Sequence, residues 1–396
     1  MDALTTPLNW QRVRLGDICE FGNGGAYETL IVENGNFKLI SLNSIDIDGN
    51  LKNTMKQVNF YDNSLKQDDI VMVLSDVAHG DFLGLCAVIP SNDYVLNQRM
   101  GRLRKRNDCI NILFLRLYIN ANQKYFKMQG QGSSQLNLSK KAIEDFEILL
   151  PPLNEQIAIA NILSDVDHYL YSLDALILKK ESVKKALSFE LLSQRKRLKG
   201  FNQAWQKVRL GDICEFGNGG AYETLIVENG NFKLISLNSI DIDGNLKNTM
   251  KQVNFYDNSL KQDDIVMVLS DVAHGDFLGL CAVIPSNDYV LNQRMGRLRK
   301  RNDCINILFL RLYINANQKY FKMQGQGSSQ LNLSKKAIED FEILLPPLNE
   351  QIAIANILSG LDHEIISLKN KKRQFENIKK ALNHDLMSAK IRVLKK

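Results

Sequence analysis

Apolar residues recur at alternating steps of four and three from Ile159 through Leu163, Val166, Leu170, Leu173 and Ile177, and return at Leu187 and Leu191. That spacing predicts one face of a coiled coil, with Lys180 and Lys184 as polar interruptions. The pattern comes back at Ile354, Leu358, Leu361, Ile365, Leu368, Phe375, Leu382 and Leu386, with Lys372 and Lys379 as its lysines. The start of the first helix is well marked. Pro151 and Pro152 keep the chain extended, Asn154 is the expected cap, and Glu155 puts a negative charge on the first turn, where the helix dipole favours it. Ahead of this helix the pattern changes to short apolar or β-branched runs bounded by turn residues, at 37–42, 70–74, 85–89 and 146–150, which predict buried strands. Asn34-Gly35-Asn36 and Asp48-Gly49-Asn50 predict turns, since Asn and Gly tolerate positive φ. Residues 112–127 have helical spacing, and their aromatics Phe114, Tyr118, Tyr125 and Phe126 are expected in the core.

The whole pattern occurs twice. Residues 13–164 reappear letter for letter as 208–359, so every position in the first copy has a twin 195 positions later. Drift would have scattered substitutions through so long a stretch, so the identity marks a recent copying event, by gene conversion or by an engineered duplication. Beyond it the copies differ: Asp165 faces Gly360, Tyr169 faces Glu364 and Lys179 faces Gln374. The register nevertheless holds, with Ser172, Leu173, Lys184, Ala186 and Leu187 matching Ser367, Leu368, Lys379, Ala381 and Leu382. An older, diverged duplication thus underlies a newer one that overwrote only the globular part. A repeat of this length is a domain.

The expected division is a first domain at 1–153, a helix and linker at 154–204, a second domain at 205–348 and a second helix at 349–396. The fold class follows: α+β, with two repeated globular α/β domains separated by two long helices that form an antiparallel coiled coil of pseudo-two-fold symmetry. Connection length argues for the antiparallel direction. A parallel pair needs the chain to cross a rod of up to ~60 Å without a helix, and only about 200–205 is free for that. Each domain is then expected at an opposite end of the rod.

Composition adds bounds. The 396 residues suffice for two cores, and a net charge of +6 permits an acidic partner such as nucleic acid without demanding one. Cys19, Cys86 and Cys109, with twins Cys214, Cys281 and Cys304, show no C-x-x-C pair or metal-ligand spacing. Three thiols per domain cannot all pair within it, which favours a reducing compartment and buried, inert cysteines. Without a signal-peptide pattern or a membrane span, a cytoplasmic protein is expected. A P-loop, a dinucleotide turn, a zinc pattern and an Asn-Pro-Pro-aromatic motif are all missing from the sequence, which argues against an autonomous enzyme. The paired acids Asp68-Asp69 sit at a strand entry and read as structural.

Leu149-Leu150-Pro151-Pro152-Leu153-Asn154-Glu155-Gln156 followed by Ile157-Ala158-Ile159, with its twin from Leu344 to Ile354, resembles the junction motif of type I restriction-modification specificity subunits. Val13-Arg14-Leu15-Gly16-Asp17-Ile18-Cys19, Gln67-Asp68-Asp69-Ile70-Val71, Asn97-Gln98-Arg99 and Gly132-Ser133-Ser134-Gln135-Leu136-Asn137-Leu138-Ser139 fit the same family, in the same order, twice. The resemblance implies two target-recognition domains, each reading half of a bipartite site in double-stranded DNA, with the coiled coil as spacer. It implies two methyltransferase subunits, which transfer a methyl group from S-adenosylmethionine to adenine N6, and restriction subunits that use ATP and Mg. No cofactor or metal is expected on this chain. Identical heads about a dyad read the same half-site on opposite strands, so the expected target is an interrupted palindrome. The rod bounds the unread centre at roughly 18 base pairs, with a centre-to-centre spacing near one helical turn expected. Two alternatives stay open: a specificity subunit of another type of methylating nuclease, and a coiled-coil scaffold bridging two protein partners.

Base edges are read by Arg, Asn, Gln and Ser side chains, and phosphates by basic groups and backbone amides. Four segments supply such groups. The glycine-rich turn offers Asn23, Gly24, Gly25 and Tyr27, either as a close approach to phosphate or simply as a turn. The segment after the strand at 70–74 offers Ser75 and His79, the latter for contact or for a hydrogen bond within its own loop. Gln98, Arg99 and Arg102 have the chemistry to reach adenine or guanine edges, while Asn97 is equally suited to bracing the backbone. The basic run 102–106 reads as a phosphate contact or a solvated face. The uncharged amide-rich loop offers Gln131, Ser133, Ser134 and Gln135, and Asn137 or Ser139 is expected to cap the helix that follows. The second copy offers Asn218, Gly219, Gly220, Tyr222, Ser270, His274, Gln293, Arg294, Arg297, Gln326, Ser328, Ser329 and Gln330.

Overall fold

The computed structural model describes residues 9–77, 80–272 and 275–393. In the first domain the order is β1 (Gln11–Arg14), α1 (Leu15–Ile18), β2 (Cys19–Asn23), β3 (Phe37–Ile40), β4 (Gln57–Val58), β5 (Ile70–Val73), β6 (Ser75–Val77), β7 (Cys86–Val88), β8 (Tyr94–Leu96), β9 (Met100–Lys105), α2 (Ile112–Ala121), α3 (Gln123–Gln129), β10 (Gln135–Asn137), α4 (Lys140–Glu144) and β11 (Glu147–Leu150). The second domain repeats each of these 195 positions later.

A four-stranded antiparallel sheet, β2-β9-β5-β7, forms the centre of each domain, and a three-stranded sheet, β4-β3-β8, lies beside it with β3 and β8 parallel. β5 is buried on both faces, which is why it reads as an unbroken apolar run. Ile70 and Met72 face a core shared with Phe114, Leu115, Phe126 and Ile148. Val71 and Val73 face the opposite way, against Ile40, Ile45, Leu85, Leu96 and Met100. All four predicted strands exist. The predicted helix over 112–127 is in fact two, because Asn122 ends α2: its amide nitrogen Nδ2 donates to the Tyr118 carbonyl at 2.8 Å, competing with the helical ladder. Its aromatics are in the core as expected, with Phe114 and Phe126 fully buried.

The first long helix, α5, spans Leu153–Leu192 and the second spans Leu348–Met387. Each ends one residue past the last apolar position of its pattern, Leu191 or Leu386. Asn154 lies inside the first turn of α5, one residue past the observed start, with Oδ1 accepting from the Glu155 amide. The two residues after it lock helix to domain. Gln156 is buried; its Nε2 donates to the carbonyls of Cys109 and Pro151, and its Oε1 accepts from the Asn111 amide. Glu155 is 2% exposed and accepts from both the Trp10 indole at 3.2 Å and the Arg392 guanidinium at 2.7 and 2.9 Å.

The chain divides into two compact units. One is drawn from residues up to Asp174 and from Asn370 onward, the other from Ala175–Lys369. Each thus contains one domain, half of its own long helix and half of the other. In the first unit Asp167 and Asp174 pair with Lys379 and Lys372 at 2.6 and 2.7 Å. In the second, Lys180 pairs with Glu364 at 2.8 Å, Lys184 with Asp362, and Arg197 with Glu350 at 2.6 Å. Partner numbers fall as α5 numbers rise, so within each unit the two helices run antiparallel. Each of the four lysines that interrupt the seam makes an interhelical ion pair. Among the described residues no helix is long and apolar enough to cross a membrane.

Candidate nucleic-acid interface

Three of the four candidate segments leave one end of the four-stranded sheet directly. β2 ends at Asn23, which is paired with Gly101 near the start of β9, and β5 ends at Val73, which is paired with Met100. Leu74 ties the rest together: its amide donates to the Arg99 carbonyl at 2.9 Å, and its carbonyl accepts from the Leu138 amide at 2.8 Å. The amide-rich loop therefore belongs to the same cluster. β10 pairs with β6 so that Asn137 faces Ser75 and Gln135 faces Val77. Gln131 and Asn137 close the loop with two reciprocal backbone bonds at 3.0 and 2.9 Å. Gly132 takes φ +124° there, a conformation that a side chain would strain.

Within this cluster the candidates fall into two groups. Asn23, Gln98, Arg99, Gln131, Ser133 and Ser134 are exposed, and Gln135 is half-buried. Arg99 sits at the tip of the tight turn between β8 and β9 with φ +67°, and Arg294 repeats this at +68°. A non-glycine residue in that region is unusual and is held by its surroundings, here by the Leu74 amide. Their twins Asn218, Gln293, Arg294, Gln326, Ser328 and Ser329 are likewise exposed, and Gln330 is half-buried.

The other group is engaged by the domain itself. Gly24 and Gly25 do not present free amides for phosphate: they donate to the carbonyls of Met100 and Leu96 at 3.1 and 3.0 Å. A Cβ on Gly24 would lie 2.0 Å from the Asn97 carbonyl oxygen, so this glycine serves a close approach to the domain's own turn. Gly219 and Gly220 repeat this arrangement. Asn97 is 1% exposed and braces the turn, accepting from the Tyr27 amide and donating to Glu28. The Tyr27 ring packs edge-on against Phe60 at 4.6 Å, as Tyr222 does on Phe255. Ser75 is buried, and its hydroxyl donates to Asn137 Oδ1 at 2.6 Å; Ser270 does the same to Asn332.

The Arg102 guanidinium is committed to the domain, bonded to Glu20 at 2.6 Å and to the Ser64 carbonyl at 3.1 Å, and Arg297 matches it. The rest of the basic run is similarly occupied. Arg104 grips the buried Asp69 with two bonds, Lys105 pairs with Asp108, and Arg106 donates to the Gly16 carbonyl. His79 and His274 lie outside the described residues.

Two residues beside the amide loop carry no signal in the sequence. Val77 is 66% exposed in β6 opposite Gln135, and Met128 is 68% exposed in the last turn of the helix that leads into the loop. An apolar side chain on an exposed strand or helix face is visible only once the face is known. The helix-capping role falls to Ser139, whose hydroxyl accepts from the Ala142 amide at 3.1 Å. Among the described residues no cluster of His, Cys, Asp and Glu is placed to hold a metal ion. The arrangement offers amide, hydroxyl and guanidinium groups on a braced platform with two apolar neighbours, the chemistry of base-edge contact in a groove.

Comparison with known proteins agrees with this chemistry. Residues 7–180 and 202–377 each match the type I restriction modification DNA specificity domain. The chain is similar to the type I restriction enzyme MjaVIII specificity subunit of Methanocaldococcus jannaschii, with 27% identity over 99% of this chain and 95% of the relative. Its fold resembles the crystal structure of the type I restriction-modification system S subunit from M. genitalium, with a TM-score of 0.64 at 17% identity over 97% of both chains. It also resembles a chain from a structure describing complex assembly and conformational transition of the type I R-M system, with a TM-score of 0.58 at 16% identity over 97% of this chain and 98% of that one. Two copies of the specificity domain, covering most of the sequence, settle the assignment: the chain belongs to the type I restriction-modification DNA specificity family, whose role is to recognise the DNA sequence.

Proposed function

We propose that this chain is the non-catalytic reading subunit of a type I restriction-modification complex and that its target is an interrupted palindrome. Each domain reads one half-site through the exposed side chains at the end of its central sheet. Asn23, Gln98, Arg99, Gln131, Ser133, Ser134 and Gln135 act in one domain, and Asn218, Gln293, Arg294, Gln326, Ser328, Ser329 and Gln330 in the other. Arg99 and Arg294 have the geometry for paired hydrogen bonds to guanine, and the Gln and Asn side chains for adenine. The observation that carries the reading is the convergence of these polar segments, laced through Leu74, at one end of a sheet in each of two identical domains. Identical heads have identical base preferences. Helices that run antiparallel within each unit favour half-sites of opposite direction, hence a palindrome with an unread centre.

Two methyltransferase subunits and the restriction subunits are the proposed protein partners, with S-adenosylmethionine, ATP and Mg bound on those subunits. The likeness to a chain from a structure of type I R-M complex assembly is what supports this choice of partners. The test is the methylation pattern of DNA after co-expression with the matching methyltransferase subunit, read by single-molecule sequencing. Methyladenine on both strands of an interrupted palindrome is the expected result. A directly repeated motif, or methylation at a single half-site, contradicts the palindrome, and no methylated motif at all contradicts the reading role proposed for these residues.

A further inference from the structure

Outside the copied stretch the two long helices have diverged, and much of the divergence lies where they touch. In the first unit the Tyr169 and Phe375 rings pack with centroids 4.5 Å apart, and Asp174 accepts from Lys372 at 2.7 Å. In the second unit Lys180 pairs with Glu364 at 2.8 Å and Lys369 with Glu181 at 2.7 Å. The Tyr169–Phe375 and Glu364–Lys180 contacts occupy equivalent positions, whereas Asp174 meets Lys372 and its twin Lys369 meets Glu181, whose own twin is Glu376. The twin of Tyr169 is Glu364, that of Lys180 is Phe375, that of Asp174 is Lys369 and that of Ile177 is Lys372. An aromatic contact in one unit is therefore an ion pair in the other, and one position has exchanged a carboxylate for an ammonium. By contrast, Lys184 with Asp362 and Lys379 with Asp167 are twins of each other and are paired alike in both units.

We propose that residues 169–181 and 364–376 form a matched recognition surface that selects the other helix of the same chain and rejects a second copy of itself. Pairing two first helices at the observed spacing sets Asp174 against Glu181 and leaves Lys180 facing Tyr169 without its carboxylate. Pairing two second helices sets Lys369 against Lys372 and Glu364 against the ring of Phe375, whose face is electronegative. Like charges at helix contacts repel; two first helices also lose the carboxylate partner of Lys180, and two second helices lose the lysine partner of Glu364, although Lys369 keeps a carboxylate opposite it in Glu376, the twin of Glu181. The single ion pairs are part-exposed and individually weak, so discrimination comes from the difference between the matched and mismatched sets. The two domains are identical across 13–164 and 208–359, so that stretch cannot tell one half of the chain from the other. The helices carry that information instead.

The experiment exchanges helix identities in the full chain. One variant gives the second helix the first helix's residues: Glu364→Tyr, Lys369→Asp, Lys372→Ile and Phe375→Lys. Its reciprocal carries Tyr169→Glu, Asp174→Lys, Ile177→Lys and Lys180→Phe. Each alone is expected to lower Tm by roughly 4–8 °C, and the eight-fold combination, which restores every pair with the sides exchanged, to return within about 2 °C of the parent. Differently tagged and co-expressed, the two four-fold variants are expected to co-purify with each other in preference to themselves. An unchanged Tm in either four-fold variant overturns the proposal. So does a combination at least as unstable as the worse of the two, including a failure of all three to fold, and so does self-capture as strong as mutual capture.

Discussion

Arg99 and Arg102 are three residues apart in the sequence and indistinguishable there as candidates, yet their surroundings assign them opposite duties. The Arg99 backbone is held at φ +67° with the side chain exposed, whereas the Arg102 guanidinium is committed to Glu20 and the Ser64 carbonyl. Arg99→Gly and Arg294→Gly remove the proposed base contact while relieving the backbone. DNA affinity is expected to fall about 5- to 150-fold per domain, the equivalent of ~1–3 kcal/mol, with Tm unchanged or slightly higher. Arg102→Ala has the reverse signature, a loss of about 1 kcal/mol in urea unfolding from the lost bonds to Glu20 and the Ser64 carbonyl, with DNA affinity unchanged. Paired titrations and melts of the three variants separate the two roles, and equal effects of Arg99→Gly and Arg102→Ala on both measurements contradict the assignment.

The thiols divide in the same way. Burial pushes Cys19 and Cys214 up to about 12 and Cys86 and Cys281 higher still, but the expectation of buried, inert cysteines fails for Cys109 and Cys304, which lie exposed just before α2 and its twin. The thiolate is the reactive form, so native protein at neutral pH is expected to label at Cys109 and Cys304 only, and at all six thiols in denaturant. Mass spectrometry of the labelled peptides checks this. None of these distinctions was legible in the sequence, because each depends on what lies across a strand pair rather than along the chain.

At the scale of elements much more was legible, because periodicity reports burial. β5 and the helical seam were readable as such, since Ile70–Val73 is buried on both faces and Ile159, Leu163, Leu173 and Ile177 are buried at their predicted spacing. The seam lysines were readable only as interruptions, because their carboxylate partners are nearly 200 residues away. The clamp at each helix start was hidden for the same reason: Glu155 meets Arg392 and Trp10, and Glu350, fully buried, meets Arg197 and Trp205. The local cue, a glutamate on the first turn, fitted the helix dipole equally well. The clamp is asymmetric in a testable way. Arg392→Ala or Arg197→Ala leaves a carboxylate buried with only an indole donor, and is expected to cost about 3–5 kcal/mol. Glu155→Gln or Glu350→Gln keeps an acceptor for both partners, and its arginine, part-exposed, can turn to water, so a smaller loss of about 1–2 kcal/mol is expected. Urea midpoints at constant m-value measure both, and a larger loss for the glutamine variants contradicts the clamp as described.

For the whole molecule, sequence identity between the domains makes a prediction that no single contact makes. A palindrome offers identical half-sites to identical heads, so Arg99→Gly and Arg294→Gly must weaken binding by the same factor, and the two together by its square, provided the sites act independently. The stronger test uses a duplex in which one half-site is altered at the base that the arginine reads. The unsubstituted chain loses affinity on that duplex, because one of its heads meets the wrong base whichever way it binds. A chain carrying only Arg99→Gly is free to choose its orientation and lays its silent head over the altered half-site. Its affinity for the altered and the intact duplex should therefore agree within about two-fold, while the parent discriminates by the ~1–3 kcal/mol of a lost base contact. Titration of both duplexes with both proteins at one salt concentration gives the comparison directly. If the single variant still discriminates as strongly as the parent, either the heads do not read equivalent half-sites or Arg99 does not read that base, and the Arg294→Gly chain on the same pair of duplexes tells these apart.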